Sequence, residues 1–272
     1  MFERIIHRWL RIPYTLNLHY FHNPSRPTRT IVLIHGLGTS WKTWEQVAAK
    51  LPKTYRVVAV DLLGFGSSPT PDWKTYSAAT QAKSIALTLV KRGIIGPVTI
   101  IGHSMGSLVA IELAKPIYPV AVRALVLCSP PIYRPATNAK LHHPERLLRR
   151  LYRFFYQHPT KSKQLLQLAD RYNLWPDRGF KADDATADSF LKALSAAIIN
   201  QTTLTDIRAL RLPIIIISGK LDPLIVESNL KQLAKQRPNI SHSSLLTQGH
   251  EITDRYAAYI VKKVTGMTKR GR

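Results

Sequence analysis

The chain is poor in cysteine, in acidic residues and in long apolar runs. Its 272 residues include one cysteine, Cys128, so an internal disulfide framework is excluded. No apolar stretch approaches the roughly 18 residues that a membrane-spanning helix needs. Arg4, Arg8 and Arg11 interrupt the N-terminal apolar residues, which is unlike a signal peptide. We therefore expect a cytoplasmic globular protein in which Cys128 is a buried strand residue rather than a reactive thiol.

The shortage of acidic residues makes the chain strongly basic. Lys and Arg number 39 against 16 Asp and Glu, a formal net charge of +23. Such a charge raises the question of a nucleic-acid or anionic-membrane partner. The basic residues are spread over the whole chain, and no nucleic-acid-binding module is recognisable. We expect a generally basic surface with no specific nucleic-acid partner, and a solvated basic tail at residues 268–272.

Apolar strand patterns alternate with helical patterns along most of the chain. Strands are predicted at 14–20, 30–34, 55–60, 98–101, 122–128, 213–217 and 241–246, and core helices at 2–10, 41–51, 76–92, 105–115 and 252–264. Most of these strands are almost continuously apolar, which is typical of a parallel sheet covered on both faces. The fold class is therefore α/β, with a doubly wound, mostly parallel sheet.

The pattern changes after Pro130 and Pro131. No convincing strand follows until residue 213, and helical stretches are predicted at 144–157, 161–174 and 185–201. A helical cap inserted into the core accounts for this change. We assign residues 1–131 to the first part of the core, 132–206 to the cap and 207–272 to the second part.

The segment Gly102-His103-Ser104-Met105-Gly106 directly follows the strand at 98–101. A G-x-S-x-G sequence between a strand and a helix places the serine hydroxyl on a sharp turn above the sheet. The glycines allow the strained bend and the close approach of the helix. Ser104 is therefore the candidate nucleophile, although a structural turn is the simpler interpretation of the five residues alone.

A serine nucleophile needs an adjacent base and a group that orients that base. Asp222 follows the strand at 213–217, and His250 follows the last predicted strand. Both therefore lie where the carboxyl ends of parallel strands meet, and the chain order Ser, Asp, His is the one expected for this architecture. Glu227 and Glu251 are the alternative carboxylates, and a helix cap is the simpler role for His250.

The tetrapeptide His35-Gly36-Leu37-Gly38 ends the strand at 30–34. Its glycines let the backbone approach a substrate carbonyl, and the amides of Leu37 and Met105 are positioned to form an oxyanion hole. We expect His35, Gly36 and Gly38, together with His103, to contact the substrate.

Together these motifs resemble the α/β-hydrolase fold family over about residues 14–264. The shared features are the elbow at 102–106, the oxyanion segment at 35–38, the loop at 61–68 and the acid and base positions. The resemblance implies a helical cap at 132–206, a Ser-His-Asp triad and no metal or organic cofactor. A serine in place of an aspartate at position 104 argues against epoxide hydrolase or dehalogenase chemistry.

The expected substrate is a small or medium carboxylic ester with an apolar acyl part. A carbon–carbon bond hydrolase acting on a diketone-like substrate is the enzymatic alternative, and a catalytically silent binding protein is the non-enzymatic one. In the cap, Leu147, Leu148, Leu151, Tyr152 and Phe155 form one apolar stripe beside four arginines. We expect this stripe to pack over the catalytic crevice; a basic amphipathic surface that contacts anionic lipid is the alternative.

Overall fold

Seven strands form the central sheet of the protein, for which a computed structural model describes residues 5–134, 143–172 and 184–267. The strands are β1 (Leu18–His22), β2 (Arg29–Ile34), β3 (Tyr55–Val60), β4 (Val98–His103), β5 (Val122–Cys128), β6 (Ile214–Gly219) and β7 (Ile240–Leu245). Their spatial order is β1-β3-β2-β4-β5-β6-β7. Strand β1 is antiparallel to β3, and every other pair is parallel, so the α/β prediction with a mostly parallel sheet is confirmed.

Helices cover both faces of the sheet. They are α1 (Glu45–Lys50), α2 (Ala78–Lys91), α3 (Met105–Leu113), α4 (His143–Gln157), α5 (Pro159–Arg171), α6 (Asp184–Ala193), α7 (Thr203–Ala209), α8 (Glu227–Gln236) and α9 (Asp254–Gly266). Alternate residues of the central strands enter two separate apolar clusters. In β2, for example, Val32 and Ile34 lie in one cluster and Ile31 and Leu33 in the other. Burial on both faces explains why these strands are apolar throughout.

The edge strand differs from its predicted position. The sequence predicts a strand over 14–20, whereas the structure begins β1 at Leu18. Leu16 is buried in the core, but its backbone N–H donates to the Thr88 hydroxyl, and the Asn17 N–H donates to the Ser68 hydroxyl. Side-chain acceptors thus replace strand pairing along this part of the chain.

The described part of the predicted cap is helical, as expected. Helices α4, α5 and α6 lie close to the predicted stretches, and a short π-helical segment, Leu194–Ile199, continues α6. The predicted cap boundary at residue 206 falls inside helix α7, which leads towards β6. Residues 135–142 and 173–183 of the predicted cap, and the predicted basic tail at 268–272, lie outside the described residues.

The apolar stripe of α4 does not form a single inward face. Leu148 and Tyr152 are buried and Phe155 is half-buried, but Leu147 and Leu151 are exposed. The expectation that all five side chains pack over the crevice is therefore wrong for Leu147, which faces water, because the buried arc of the helix is narrower than its apolar arc. In the three described ranges, every helix falls short of the length or apolar character that crossing a membrane requires.

Helix α3 packs directly against the backbone of the sheet. A Cβ added to Gly106 would lie 2.2 Å from the carbonyl oxygen of Ile34 and 2.4 Å from that of His35. A Cβ added to Gly102 would lie 2.5 Å from the carbonyl oxygen of Gly106. All three distances are too short for real contacts, so the two glycines set the separation between α3 and the strands β2 and β4.

We expect Gly106→Ala to lower the free energy of unfolding by about 3 kcal/mol, the upper end of the range for overpacking, because the new methyl group meets rigid backbone. Gly266→Ala is the matched control, since its Cβ would have no neighbour within 4 Å. Its effect should stay within about 1 kcal/mol and favour the helix. Chemical denaturation of both variants measures the difference, and equal stabilities would contradict this account of the α3 packing.

Candidate active site

Ser104 occupies the sharp turn between β4 and α3. Its backbone has φ 50° and ψ −124°, a left-handed conformation that costs a non-glycine residue roughly 1–3 kcal/mol. The Ser104 N–H donates to the carbonyl oxygen of Cys128 at 2.9 Å, which ties the turn to β5. Met105 begins α3, so its N–H has no acceptor within the helix. The turn thus presents a strained serine beside an available backbone amide.

Asp222 and His250 come together from the loops after β6 and β7. The Nδ1–H of His250 donates to Oδ2 of Asp222 at 2.8 Å, and the other carboxylate oxygen accepts the Leu224 N–H at 3.0 Å. The Asp222 side chain is fully buried, whereas the His250 ring is partly exposed. With Nδ1 carrying the proton of the neutral ring, Nε2 is left as the basic nitrogen.

His103 connects the serine turn to the loop that carries His250. Its Nε2–H donates to the backbone carbonyl of His250 at 2.8 Å. Burial lowers the pKa of His103 to about 3, and the neighbouring His250 contributes to this lowering. The ring is therefore neutral near pH 7, and its Nδ1 is a buried acceptor without a partner among the described residues. His103 thus links the serine turn to the loop that carries His250 without adding charge to the site.

His35 anchors the segment at residues 35–38, where the sequence predicts an oxyanion-hole amide, through buried hydrogen bonds. It is fully buried, its Nε2 accepts the Leu62 N–H at 2.9 Å, and its Nδ1–H donates to the carbonyl of Gly36 at 2.7 Å. Gly36 and Leu37 line the cavity described below, whereas His35 and Gly38 are not among the lining residues. A substrate contact by His35 or Gly38 remains a prediction; the observed bonds of His35 position the segment.

Ser104 and His250 open into one large cavity of about 720 Å³. A volume of this size is typical of small-molecule sites. The cap and the neighbouring loops line most of it with apolar side chains: Leu37, Pro131, Leu151, Tyr152, Phe155, Leu166, Ala169, Phe190, Leu194, Ile198, Leu224 and Ile252. Polar residues line the rest: Thr39, Lys42, Thr43, Glu45, Gln46, His103 and Glu251. Sequence patterns missed Phe190, Leu194 and Lys42, because each lies on an element whose orientation depends on distant contacts.

The alternative carboxylates lie elsewhere or bond differently. Glu227 begins α8 and pairs with Lys231 at 3.3 Å, and Glu251 lines the cavity beside His250 without bonding to its ring.

Burial raises the pKa of the Cys128 thiol, which keeps it protonated. Over residues 5–134, 143–172 and 184–267, no three His, Cys, Asp or Glu side chains are arranged to hold a metal ion.

The buried neutral state of His103 predicts a specific loss of stability in acid. The unfolded histidine takes up its proton near the ordinary histidine pKa of 6.5, and the folded one only near a pKa of about 3. Between these values the unfolded state binds more protons, so stability falls as the pH falls. We expect His103→Gln, which keeps a donor for the His250 carbonyl, to remove up to about 1.4 kcal/mol per pH unit of this slope between pH 6 and 4.

Urea denaturation of both proteins from pH 7 to pH 4 measures the two slopes. Carboxylates elsewhere in the protein contribute equally to both and cancel in the difference. Parallel slopes would show that His103 is protonated in the folded protein or does not titrate in the unfolded one.

Sequence and structure comparisons agree on the fold. The family model described as "Alpha/beta hydrolase family" matches residues 31–255. Epoxide hydrolase 4 of Homo sapiens is 30% identical over 169 residues, 60% of this chain and 45% of that protein. Probable lysophospholipase BODYGUARD 2 of Arabidopsis thaliana is 31% identical over 109 residues, 38% of this chain and 23% of that protein. The matched part is thus less than half the length of these relatives.

Solved structures share nearly the whole architecture at low sequence identity. A thermophilic esterase from Thermogutta terrifontis superposes with a TM-score of 0.69 at 18% identity, covering 94% of this chain and 93% of the esterase. Epoxide hydrolase CorEH superposes with a TM-score of 0.75 at 18% identity, covering 94% of this chain and all 100% of that one. The family model matches well over half of the residues, and the chain belongs to the α/β-hydrolase family.

Proposed function

We propose that the protein is a serine hydrolase that cleaves a small or medium carboxylic ester through an acyl-enzyme. The observation that carries this proposal is the 2.8 Å hydrogen bond between Asp222 and His250, at a cavity that Ser104 also lines. A buried carboxylate that orients a histidine is the arrangement that activates a serine hydroxyl, and Ser104 and His250 line the same cavity.

In this mechanism Nε2 of His250 removes the hydroxyl proton while Oγ of Ser104 attacks the ester carbonyl carbon. The tetrahedral intermediate then collapses, and His250 returns the proton to the departing alkoxide, which leaves as the alcohol. His250 next deprotonates a water that attacks the acyl carbonyl carbon, and it returns this proton to Oγ of Ser104 as the acid is released. Asp222 stabilises the imidazolium that forms in both half-reactions without taking its proton.

Two backbone amides are proposed to stabilise the oxyanion. Met105 lies at the N-terminus of α3, where the helix dipole favours negative charge and the N–H has no helical acceptor. Leu37 lines the cavity on the opposite loop, next to Gly36. The Cβ position of Gly36 lies 3.1 Å from Cβ of Ser104, so a larger residue there would crowd the nucleophile. Such donors each typically contribute about 10²–10³ in rate.

The cavity lining favours an apolar acyl group. Tyr152, Phe155 and Leu166 of the cap, with Phe190 and Leu194, form an apolar wall above the loops that carry Ser104 and His250. Burial raises the pKa of the Tyr152 phenol, so it remains a neutral group. An acyl chain buried against this wall gains roughly 0.8 kcal/mol for each methylene removed from water.

The named relatives include epoxide hydrolases, but a serine nucleophile does not suit that reaction. A carboxylate that opens an epoxide forms an ester, which water can cleave. A serine would form an ether, which has no carbonyl for water to attack and would stay on the enzyme. Residue 104 is a serine, so ester chemistry agrees better with this site, in line with the relative named as a probable lysophospholipase and the solved esterases.

Ser104→Ala should abolish covalent labelling by a fluorophosphonate and hydrolysis of short p-nitrophenyl esters, because the nucleophile is removed. Ser67→Ala is the control, since Ser67 is an exposed serine on a nearby loop and should leave both signals unchanged. Intact mass measures the adduct. A folded wild-type protein without an adduct would favour a binding protein, and turnover of a diketone without ester turnover would favour carbon–carbon bond hydrolysis.

Asp222→Asn should lower kcat by roughly 10³–10⁴-fold, because the amide no longer holds the proton on Nδ1 of His250. KM should change little, since the Asp222 side chain is buried beneath the histidine and does not line the cavity. Glu227→Gln is the matched control and should keep wild-type kcat, as Glu227 pairs with Lys231. Steady-state kinetics with one ester substrate measures kcat and KM of both variants. A loss of kcat in Glu227→Gln alone would show that Glu227, not Asp222, orients His250.

A further inference from the structure

Two helices of the cap present large apolar side chains to water. On α4, Leu147, Leu151 and Phe154 are spaced four and three residues apart, so they form one stripe. A second stripe lies on α5 and the residue that follows it: Leu165, Leu168 and Tyr172. All six side chains are between 42% and 63% exposed. Clustered exposure of this extent marks an interaction surface rather than isolated surface residues.

A basic stripe runs beside the apolar one on α4. Arg146, Arg150 and Arg153 each precede a member of the apolar stripe by one residue and are exposed. A step of one residue rotates the position by about 100° around a helix, so the two stripes occupy adjacent faces. Leu148 and Tyr152 form the buried face on the other side of the apolar stripe. The helix therefore passes from buried to exposed apolar to basic around its circumference.

The exposed apolar stripe is continuous with the wall of the cavity. Leu151 is 46% exposed and also lines the cavity, next to Tyr152 and Phe155. On α5, Leu166 and Ala169 line the same cavity, and Leu165 and Leu168 face outward. Apart from Leu151, which also lines the cavity, both stripes thus lie on the outer side of the helices that cover the site.

We propose that this outer cap face docks on an anionic lipid surface. The face is defined by its apolar and basic residues: Leu147, Leu151, Phe154, Leu165, Leu168, Tyr172, Arg146, Arg150 and Arg153. Amphipathic helices with arginine beside leucine and aromatic residues lie in the interface of anionic bilayers, with the apolar side among the acyl chains and the basic side at the headgroups.

Charge favours lipid over the other occupants of such a face. A second copy of this chain carries the same net charge of +23, so two cap faces would repel each other. A nucleic acid would pair with the arginines but leave the leucines and Phe154 in water. Residues 143–172 contain seven Lys and Arg against two acidic residues, and one of the two, Glu145, is fully buried. Anionic lipid is the partner that matches both stripes.

One consequence rests on the proposed function. If Ser104 acts on an ester with an apolar acyl chain, docking by this face places the cavity wall at Leu151 against the lipid. The acyl chain can then move from the lipid into the cavity along an apolar path. Docking itself requires no catalysis, so the two proposals fail separately.

Co-sedimentation with vesicles tests the docking. The full chain with Ser104→Ala is used, so that hydrolysis cannot alter the vesicles. It should bind vesicles of phosphatidylcholine with about 30% phosphatidylglycerol and not pure phosphatidylcholine, and binding should weaken at about 0.5 M salt because the charges are screened. Absence of binding to the anionic vesicles at low salt, or equal binding to both vesicles, overturns the proposal.

Paired variants locate the contact on the cap. Arg150→Gln with Arg153→Gln should reduce the vesicle partition coefficient roughly 10- to 30-fold, since each interfacial cation contributes about fivefold. Leu147→Ser with Leu168→Ser should reduce it by about tenfold. All four residues are exposed, so the fold should persist, and thermal unfolding checks this.

Control variants remove cations or an exposed apolar side chain away from the cap. Lys83→Gln with Lys235→Gln removes two cations on α2 and α8, and Ile117→Ser removes an apolar side chain that is 72% exposed after α3. These variants should bind within about twofold of the parent, because charge screening limits long-range effects. An equal loss in the controls would assign binding to overall charge and overturn the proposal. A dimer that Leu147→Ser with Leu168→Ser dissociates, without vesicle binding, would assign the face to self-association.

Discussion

Backbone contact between helix α3 and the strands beneath it is the constraint on which the site depends. Gly102 and Gly106 bring the helix so close to β2 and β4 that no side-chain carbon fits between them. The chain must therefore turn sharply at Ser104, which adopts φ 50°. The same turn places Ser104 at the wall of the cavity. It also leaves the Met105 amide at the N-terminus of α3. Strain at Ser104 thus accompanies the placement of the proposed nucleophile next to the Met105 amide, the proposed oxyanion donor.

Around this turn, buried hydrogen bonds position loops that are distant in the chain. His103 donates a hydrogen bond to the carbonyl of His250, and His35 joins the segment at residues 35–38 to Leu62. The buried carboxylate of Asp61 accepts backbone N–H bonds from Trp41 and Ser67, which holds the loops after β2 and β3 together. Because the pKa of His103 is lowered by burial, this linkage stays neutral and does not compete with the Asp222–His250 pair. Rigid loops of this kind keep a site organised before substrate arrives.

The sides of helix α4 differ in their surroundings. The inner face of α4 forms part of the cavity wall, and the buried Glu145 anchors the helix by accepting the backbone N–H of Arg134 and pairing with Arg149. The Tyr152 hydroxyl is hydrogen-bonded to the Tyr133 hydroxyl, which donates to the carbonyl of Leu224 in the loop that carries Asp222. The cap is thus tied to the core by polar contacts. The exposed apolar and basic residues of α4 take no part in the contacts named here, so they are available for the proposed docking on lipid.

Local sequence patterns determined most of the elements and all three proposed catalytic positions. Strand and helix periods are properties of neighbouring residues, and glycine spacing with chain order restricts where Ser104, Asp222 and His250 can lie. Tertiary structure alone decided which side of α4 is buried. The sequence pattern puts Leu147 and Leu148 in one apolar stripe, but only Leu148 is buried in the core. It also decided that His35 and His103 bond to loops, because their partners Leu62 and His250 lie 27 and 147 residues away. Burial depends on which distant surfaces meet, and a local pattern contains no information about that.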